Sequence, residues 1–261
     1  MASLRFEIRG ELGNLTLRAF QAAIELNLRM LSEYDRGLSG ERRGSLYWVV
    51  TGVSTGSLIF DVQSHTRKTD IDVGLAVARE YVHGWNLIEK EGATPPYLTW
   101  QTMQRARQVT RMIGTEGVYG FAASSMHETA EVTARASTHI EQLLTERYHA
   151  LGAVEGTIET VSIHGGKRFI LYHSRTRKAI RCTFKDDEWL KRAADVLGRR
   201  VSVMGTVYSN ARGEPVRVEA RSLRVLRTRE ELPTTRSLTR SDPDFTGGLS
   251  TDEFLRQIRD A

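Results

Sequence analysis

Residues 154–226 read VEGTIETVSIHGGKRFILYHSRTRKAIRCTFKDDEWLKRAADVLGRRVSVMGTVYSNARGEPVRVEARSLRVL, and five short apolar runs follow one another in this stretch. Turn-forming residues separate the runs, and one segment with helical spacing, Glu188–Leu197, lies between the third run and the fourth. Alternating runs of this length are typical of short strands that bury one face. We therefore predict a closed or nearly closed five-stranded β-barrel with the helix at one end.

The first strand of this barrel changes its buried face partway along. The apolar residues between Val154 and Ile158 lie in one phase, whereas Val161 and Ile163 continue in the opposite phase. One extra residue in a strand produces such a switch and bends the strand, as the closure of a small barrel requires. We predict a β-bulge near Thr160.

The strand order, the helix position, the size and the glycine in the fourth strand, Gly205, resemble the OB-fold superfamily over residues 152–229. In OB-fold proteins, strands two and three and their flanking loops commonly hold single-stranded nucleic acid. Segments Val154–Gly156 and Gly198–Val201 are also similar to a widespread group of uncharacterised bacterial proteins. The resemblance therefore implies a binding module and names no ligand.

The rest of the chain predicts an α+β fold class overall. The first 150 residues mix helical and strand patterns without a repeating strand–helix–strand unit, which indicates an α+β domain. The chain then divides into an α+β domain at 1–150, an OB-like β-barrel at 151–230, and a linker with a C-terminal amphipathic helix at 231–261.

Two helix predictions in the first 150 residues are specific enough to test. The first helix should bury a stripe made of Leu17, Phe20, Ile24, Leu28 and Leu31. A last short helix is predicted at Ile140–Tyr148, opened by a capping box of Thr138 and Glu141.

The composition is that of an ordinary globular protein of 261 residues, 40% hydrophobic and 26% charged. No run approaches the roughly 20 apolar residues that span a bilayer, so we expect no membrane-spanning segment. Cys182 is the only cysteine, which excludes an intrachain disulfide framework and suits a reducing compartment. We therefore expect a cytoplasmic protein.

The net charge of +5 is unevenly distributed. Residues 151–230 hold 17 lysine and arginine residues against 9 aspartate and glutamate residues, whereas residues 1–150 hold 16 against 17. A surface that binds a polyanion needs such an excess, because phosphate contacts release counterions from nucleic acid. A solvated basic surface has the same composition, and both interpretations stay open.

Basic and aromatic residues are concentrated on the second strand, the third strand and the loop between them. The candidate nucleic-acid-binding residues are Lys167, Arg168, Phe169, Tyr172, Arg175, Arg177, Lys178 and Arg181. Because the second strand has apolar residues in both phases, one of its two aromatic residues must belong to the core. Single-stranded DNA and RNA both fit this pattern, and a purely structural or protein-contacting barrel is the alternative.

Recognisable motifs of catalysis and cofactor binding are absent from the sequence. Gly165-Gly166-Lys167 lacks the upstream glycine of a phosphate-binding loop and is predicted as a hairpin turn. The seven histidines show no H-x-x-x-H spacing, and one cysteine cannot form a C-x-x-C pair. Cys182 is in phase with Ile180 and Phe184, which predicts a core residue and not a nucleophile. We assign no catalytic residue, no metal and no cofactor.

The C-terminal segment combines a helix start with apolar anchors. Ser250 and Glu253 form an S-x-x-E capping box, and the predicted partner-binding residues are Phe245, Phe254, Leu255, Ile258 and Arg259. This segment, DFTGGLSTDEFLRQIR at 244–259, is similar to the C-terminal peptides with which small bacterial antitoxins wrap nuclease toxins. A helix of about ten residues is marginal alone, so it must dock on its own domain or on another chain.

These observations favour a non-enzymatic binding or regulatory protein that engages a protein partner through its tail. The antitoxin resemblance implies a small nuclease toxin as that partner. The alternative is a single-stranded nucleic-acid-binding protein that acts through the basic barrel. A third hypothesis is an enzyme of unrecognised type with its site in the first 150 residues.

Overall fold

The structure is a computed structural model, and it describes residues 1–11, 13–41, 43–54, 58–67, 72–126, 128–163, 166–227, 231–232 and 245–259. These residues form two compact units, Met1–Val225 and Leu226–Ala261. Helices and strands in two sheets make up the first unit, which confirms the α+β class.

The first sheet has five antiparallel strands in the order β2-β3-β1-β4-β5. They are β1 (Ser3–Gly10), β2 (Leu46–Ser54), β3 (Leu58–Thr66), β4 (Val118–Ser124) and β5 (Thr129–Val132). The central strand buries Leu4, Phe6 and Ile8 on one face. On the other face, Arg5 pairs with Asp61 across the sheet, as expected for an antiparallel sheet with one solvated side.

Four helices belong to this part of the unit: α1 (Leu17–Ser39), α2 (Gly74–Asn86), α3 (Trp100–Thr110) and α4 (Ala134–Leu144). A π-helical turn, Leu87–Glu91, extends α2 and ends at Gly92, whose φ of 58° lies in the left-handed region. The hydroxyl groups of Thr16, Thr99 and Thr133 accept backbone N–H bonds and cap α1, α3 and α4.

One helix prediction was right only in part and another was wrong. Leu31 of the predicted α1 stripe is buried, and Phe20 packs against the core. The side chains of Leu17 and Leu28 are exposed, because α1 turns a neighbouring stripe inward: Ala19, Ala23, Leu26, Met30 and Tyr34. The proposed capping box lies inside α4, which begins earlier, behind Thr133. The chain after Leu144 does not continue as a helix, and Tyr148 instead begins a strand.

Two buried carboxylates near the end of α1 connect it to other elements. Asp35 accepts hydrogen bonds from the backbone N–H groups of Ser45 and Leu46, at 3.0 and 2.9 Å, where β2 begins. Glu33 accepts bonds from the backbone N–H and the hydroxyl of Thr99, both at 2.8 Å, where α3 begins. Charge-assisted bonds of this kind are stronger than neutral ones. One turn of α1 therefore fixes the start of a strand and of a helix.

The second sheet closes on itself. Its strands are β6 (Tyr148–Ser162), β7 (Arg168–His173), β8 (Ala179–Thr183), β9 (Arg200–Ser209) and β10 (Pro215–Val225), with α5 (Asp187–Asp195) between β8 and β9. The hydrogen-bonded order is β10-β8-β7-β6-β9, and β9 pairs again with β10. The β8–β10 contact is parallel, and the other four are antiparallel.

The interior of this barrel matches the alternation of the sequence. Ile158, Phe169, Leu171, Cys182 and Val203 are fully buried inside it. The pairing of β6 with β7 shifts register between Ile158 and Thr160, where a bulge was predicted. β6 also runs further than predicted, because its first half pairs with β9 before its second half pairs with β7.

A pair of glycines faces each other where β6 and β9 cross. Gly152 and Gly205 are partners in the ladder, but their surroundings differ. A Cβ atom on Gly205 would overlap the carbonyl oxygen of Glu219 on β10. A Cβ atom on Gly152 would meet only the Val207 Cγ2 atom at 3.5 Å, an ordinary contact. The close approach of β9 to β10 therefore requires a glycine only at 205.

We expect the Gly205→Ala substitution to lower the free energy of unfolding by about 1–3 kcal/mol, because backbone must shift to admit the methyl group. The matched Gly152→Ala variant should change stability by less than about 1 kcal/mol, in the stabilising direction, because alanine loses less chain entropy than glycine on folding. Urea denaturation of both variants measures the difference. Equal losses in the two variants would contradict this account of the barrel.

Candidate functional site

The predicted nucleic-acid-binding residues do not form one exposed surface. Phe169 is fully buried in the barrel, so no base can stack on its ring, and Tyr172 is the aromatic residue of β7 that faces outward. Tyr172 is itself half-buried, and burial raises the pKa of its phenol. Arg175 is exposed, whereas Lys167 forms an ion pair of 2.8 Å with Asp187. Arg168 is half-buried at the start of β7.

Arg177 and Arg181 contact residues among the first 150, whereas Lys178 pairs with Glu214, which in turn accepts a hydrogen bond from Thr94. The segment that meets them runs from the end of the π-helical turn to the start of α3, residues 91–100. The contact of this segment with the barrel consists of two cation–aromatic pairs and several hydrogen bonds. The face that the sequence assigned to nucleic acid is thus largely an internal interface of the first unit.

A strained backbone pair lies at this interface. Tyr97 and Arg177 both have positive φ, 64° and 55°, in a region that non-glycine residues rarely adopt. The Tyr97 N–H donates to the carbonyl oxygen of Arg177 at 2.9 Å, and the Arg177 guanidinium lies 5.8 Å from the Tyr97 ring centroid. The ring packs so closely over Gly37 that a Cβ atom there would overlap it. Such conformations persist only where surrounding contacts hold them.

Glu214, in the loop between β9 and β10, is the polar centre of the interface. Its carboxylate accepts hydrogen bonds from Lys178 Nζ at 2.6 Å and from Thr94 Oγ1 at 2.7 Å. The buried Asn210 amide also donates to it at 3.3 Å. Burial raises the pKa of this carboxyl, but the bonds from Lys178 and Thr94 outweigh burial and hold the pKa below its ordinary value of 4.5.

The same loop satisfies backbone groups at two helix ends. Arg212 Nη1 donates to the carbonyl oxygens of Glu91 and Gly92 at 2.6 and 3.0 Å, at the end of the π-helical turn. Asn210 Nδ2 donates to the carbonyl oxygen of Leu143, near the end of α4, at 3.4 Å. Cations favour helix C-termini, because the last carbonyl groups there lack helical partners. The loop therefore holds the barrel against two helices.

Two further arginines stack on aromatic rings. The Arg181 guanidinium lies 4.4 Å from the Trp100 ring centroid, and burial lowers its pKa. Arg217 lies 3.7 Å from the Tyr208 ring centroid, and Glu146 binds it with two contacts of 2.8 and 3.0 Å. Both guanidinium groups are thus already engaged within the fold. The sequence did not indicate the contacts of Arg181 with Trp100 and of Arg217 with Glu146, because these partners are distant in the chain.

The second unit contains the predicted tail helix, α6 (Thr251–Arg259). The capping box forms as predicted: the Ser250 hydroxyl donates to the Glu253 carboxylate at 2.6 Å, and the Glu253 N–H donates back to the Ser250 oxygen at 3.4 Å. Phe245 and Phe254 pack edge to face with ring centroids 5.1 Å apart. Phe245, Leu255 and Ile258 are 67%, 51% and 59% exposed.

The described part of the chain contains few of the side-chain groupings that form a catalytic centre. Those residues contain no cluster of three His, Cys, Asp or Glu side chains able to hold a metal. Burial raises the pKa of the Cys182 thiol well above its ordinary value, so it does not supply a thiolate. An open cleft of about 560 Å³ lies between α1 and α3, but neither histidine nor cysteine lines it. Its Arg105 and Arg111 are ion-paired with Glu25 and Glu141.

We expect the Glu214→Gln variant to lose about 1–2 kcal/mol of unfolding free energy at neutral pH, since a partly exposed ion pair is weaker than a buried one. The folded-state pKa of Glu214 is depressed, so its contribution is full above about pH 4.5 and is lost as the pH falls through the folded pKa. Wild type and variant should therefore converge in acid. Chemical denaturation across this pH range checks the sign, with the exposed Glu188→Gln variant as control; a pH-independent gap would contradict it.

Comparison with known proteins adds no constraint to these surfaces. No protein-family model, no curated protein and no solved structure matches the chain. Within the described ranges, no helix combines the length and the apolar character needed to cross a bilayer.

Proposed function

We propose that the chain is a non-catalytic binding protein that engages a protein partner through α6. One observation carries the proposal: a capped helix forms in a nine-residue segment and leaves Leu255 and Ile258 more than half exposed. Helices of this length are only marginally stable in water, because forming the first turn costs more free energy than a few backbone hydrogen bonds contribute. The capping box and the Phe245–Phe254 contact offset part of that cost locally.

The apolar side chains of the tail are sufficient for useful affinity. Full burial of such a side chain contributes about 1.5–3 kcal/mol before the cost of ordering the segment. Acidic residues, Asp252 and Glu253, lie in the first turn of α6, and Arg256 and Arg259 lie in the last. This arrangement complements the helix dipole and favours a preformed helix. We therefore expect the partner to present an apolar groove. In an antitoxin-like role, that groove would lie on a small nuclease toxin.

We expect truncation after Pro233 to abolish co-purification of the partner and to leave the melting temperature within about 2 °C of wild type, because the tail belongs to a separate compact unit. The Leu255→Ala/Ile258→Ala variant should have the same effect, because it removes the apolar anchors. The matched Arg256→Ala/Gln257→Ala variant should retain the partner. Pull-down of the tagged full chain, followed by thermal denaturation, measures both effects.

Two outcomes would oppose this proposal. A truncated chain that melts at a clearly lower temperature would indicate that the tail docks on its own chain. Unchanged co-purification in both the truncated chain and the Leu255→Ala/Ile258→Ala variant would remove the tail from partner binding and exclude the antitoxin-like role.

A second candidate function is single-stranded nucleic-acid binding by an OB-type barrel. The OB interpretation is supported by the ring order β6-β7-β8-β10-β9, the parallel β8–β10 contact and the position of α5 between β8 and β9. The basic excess of residues 151–230 supports a polyanionic ligand. Fold alone does not establish a ligand, so binding has to be measured.

We expect the full chain to bind an oligothymidylate of about 20 nucleotides at low salt, with an affinity that falls linearly in log–log form as salt rises. Each phosphate contact should add about 0.7 to the slope, because it releases condensed counterions from a single strand. Fluorescence anisotropy over a salt series measures this slope. An absence of binding at about 50 mM salt would dismiss the nucleic-acid function.

A further inference from the structure

We infer that single-stranded nucleic acid binds the outer face of β6, β9 and β10, through a set of side chains that we call the arginine patch: Arg192, Arg199, Arg200, Arg221 and Arg224. The inference rests on the second candidate function and assigns it to a different surface from the predicted one. The recognised chemistry is the phosphate backbone, because guanidinium groups bind phosphate oxygens in a bidentate manner.

The alternation of buried and exposed residues along β9 shows which of its side chains lie on the outer face of the barrel. Val201 and Val203 are fully buried in the barrel, so the residues between and beside them point outward. Arg200 and Met204 are exposed, and Ser202 lies between them on the same side. The outer side of β9 therefore begins with an arginine and continues with small and apolar groups.

The neighbouring strand β10 adds a second arginine to this face. Arg224 is the ladder partner of Ser202, and the intervening Leu223 points into the core. Arg224 and Arg200 are thus diagonal neighbours across the two strands, a relationship that brings Cα atoms within about 7–8 Å. Arginine side chains are long enough for both to contact the same ligand over that distance.

The helix α5 and a bulge bring the remaining arginines to the same region. Arg192 Nη2 donates to the carbonyl oxygen of Leu223 at 3.4 Å, which fixes its guanidinium beside Arg224. Arg221 is exposed where β10 shifts register between Ala220 and Ser222. Arg199 is exposed immediately before β9. The helix α5 and the paired ends of β9 and β10 therefore each contribute exposed arginines.

The charge of this surface is largely uncompensated. Arg200 forms one ion pair, of 3.0 Å, with Glu155 on β6. The other four arginines form no ion pair with any residue in the described part of the chain. By contrast, Lys167 and Lys178, two of the six cations on the predicted face, each have a carboxylate partner. A phosphate backbone would thus meet four arginines of the patch that have no carboxylate partner among the described residues, whereas two lysines of the predicted face are already ion-paired.

The apolar groups beside the arginine patch favour a single strand over a duplex. Met204 and Leu151 are both more than half exposed, and Ala153 on β6 is the ladder partner of Met204. Unstacked bases can lie on such groups while their phosphates meet the arginines, whereas duplex bases are not accessible in that way. The outer face of β6, β9 and β10 is built from strands, and α5 contributes only Arg192 to the arginine patch, so the surface does not present a helix for insertion into a groove.

The test is oligothymidylate binding by the full chain and the Arg221→Ala/Arg224→Ala variant. Removing two phosphate contacts should reduce the salt slope by about 1.4, which corresponds to roughly 60-fold weaker binding at about 50 mM salt if both proteins bind equally at about 1 M. The Arg221→Lys/Arg224→Lys variant keeps the charge and should retain most of the slope. Both positions are exposed strand residues, so thermal denaturation should confirm folded protein.

Two control variants separate the possible failures. The Arg29→Ala/Arg135→Ala variant removes two exposed arginines from α1 and α4, and it should bind as wild type does. If the wild type binds and the patch variant matches this control, the arginine patch is wrong while nucleic-acid binding stands. If Arg175→Ala alone reduces the slope more than the patch variant does, the ligand lies on the predicted loop. If the wild type does not bind, the function itself fails.

Discussion

The carboxylate of Glu214 joins the two halves of the first unit. Its oxygens accept hydrogen bonds from Lys178 in one barrel loop, from Thr94 in the segment before α3, and from the Asn210 amide. A partly buried carboxylate without these donors would be unfavourable, because burial penalises its charged form. The loop between β9 and β10 therefore keeps a fixed place on the helices. The strained backbones of Tyr97 and Arg177 can persist because this contact surrounds them.

This arrangement determines which barrel surfaces are accessible. The β7–β8 side is covered over much of its width, so its basic residues stabilise a domain contact: Arg177, Lys178 and Arg181. The β6–β9–β10 side carries exposed arginines and apolar groups instead. Charge counts along the sequence could not separate these two sides, because they record how many cations a segment has and not which of them meet a carboxylate or a ring.

Features that depend on neighbouring residues were predictable from the sequence. The bulge near Thr160 and the capping box at Ser250 follow from local periodicity and from one side chain three residues from another. The buried stripe of α1 was misplaced, because alanines at 19 and 23 face the sheet while larger leucines at 17 and 28 face solvent. The buried stripe also holds Leu26, Met30 and Tyr34, so tertiary packing, and not the size or hydrophobicity of single residues, sets which stripe faces inward. The Tyr97–Arg177 contact joins residues 80 positions apart, which no local pattern reports.

The pairing of β10 with both β8 and β9 also determines when the barrel can close during synthesis of the chain. β10 is the last element of the first unit, and both β8 and β9 need it as a neighbour. During synthesis, each of those strands presents an unpaired edge until Val225 has emerged, and open edges recruit other strands. The nascent chain is thus most exposed to misassembly just before its final strand arrives, and the tail helix follows only after that hazard has passed.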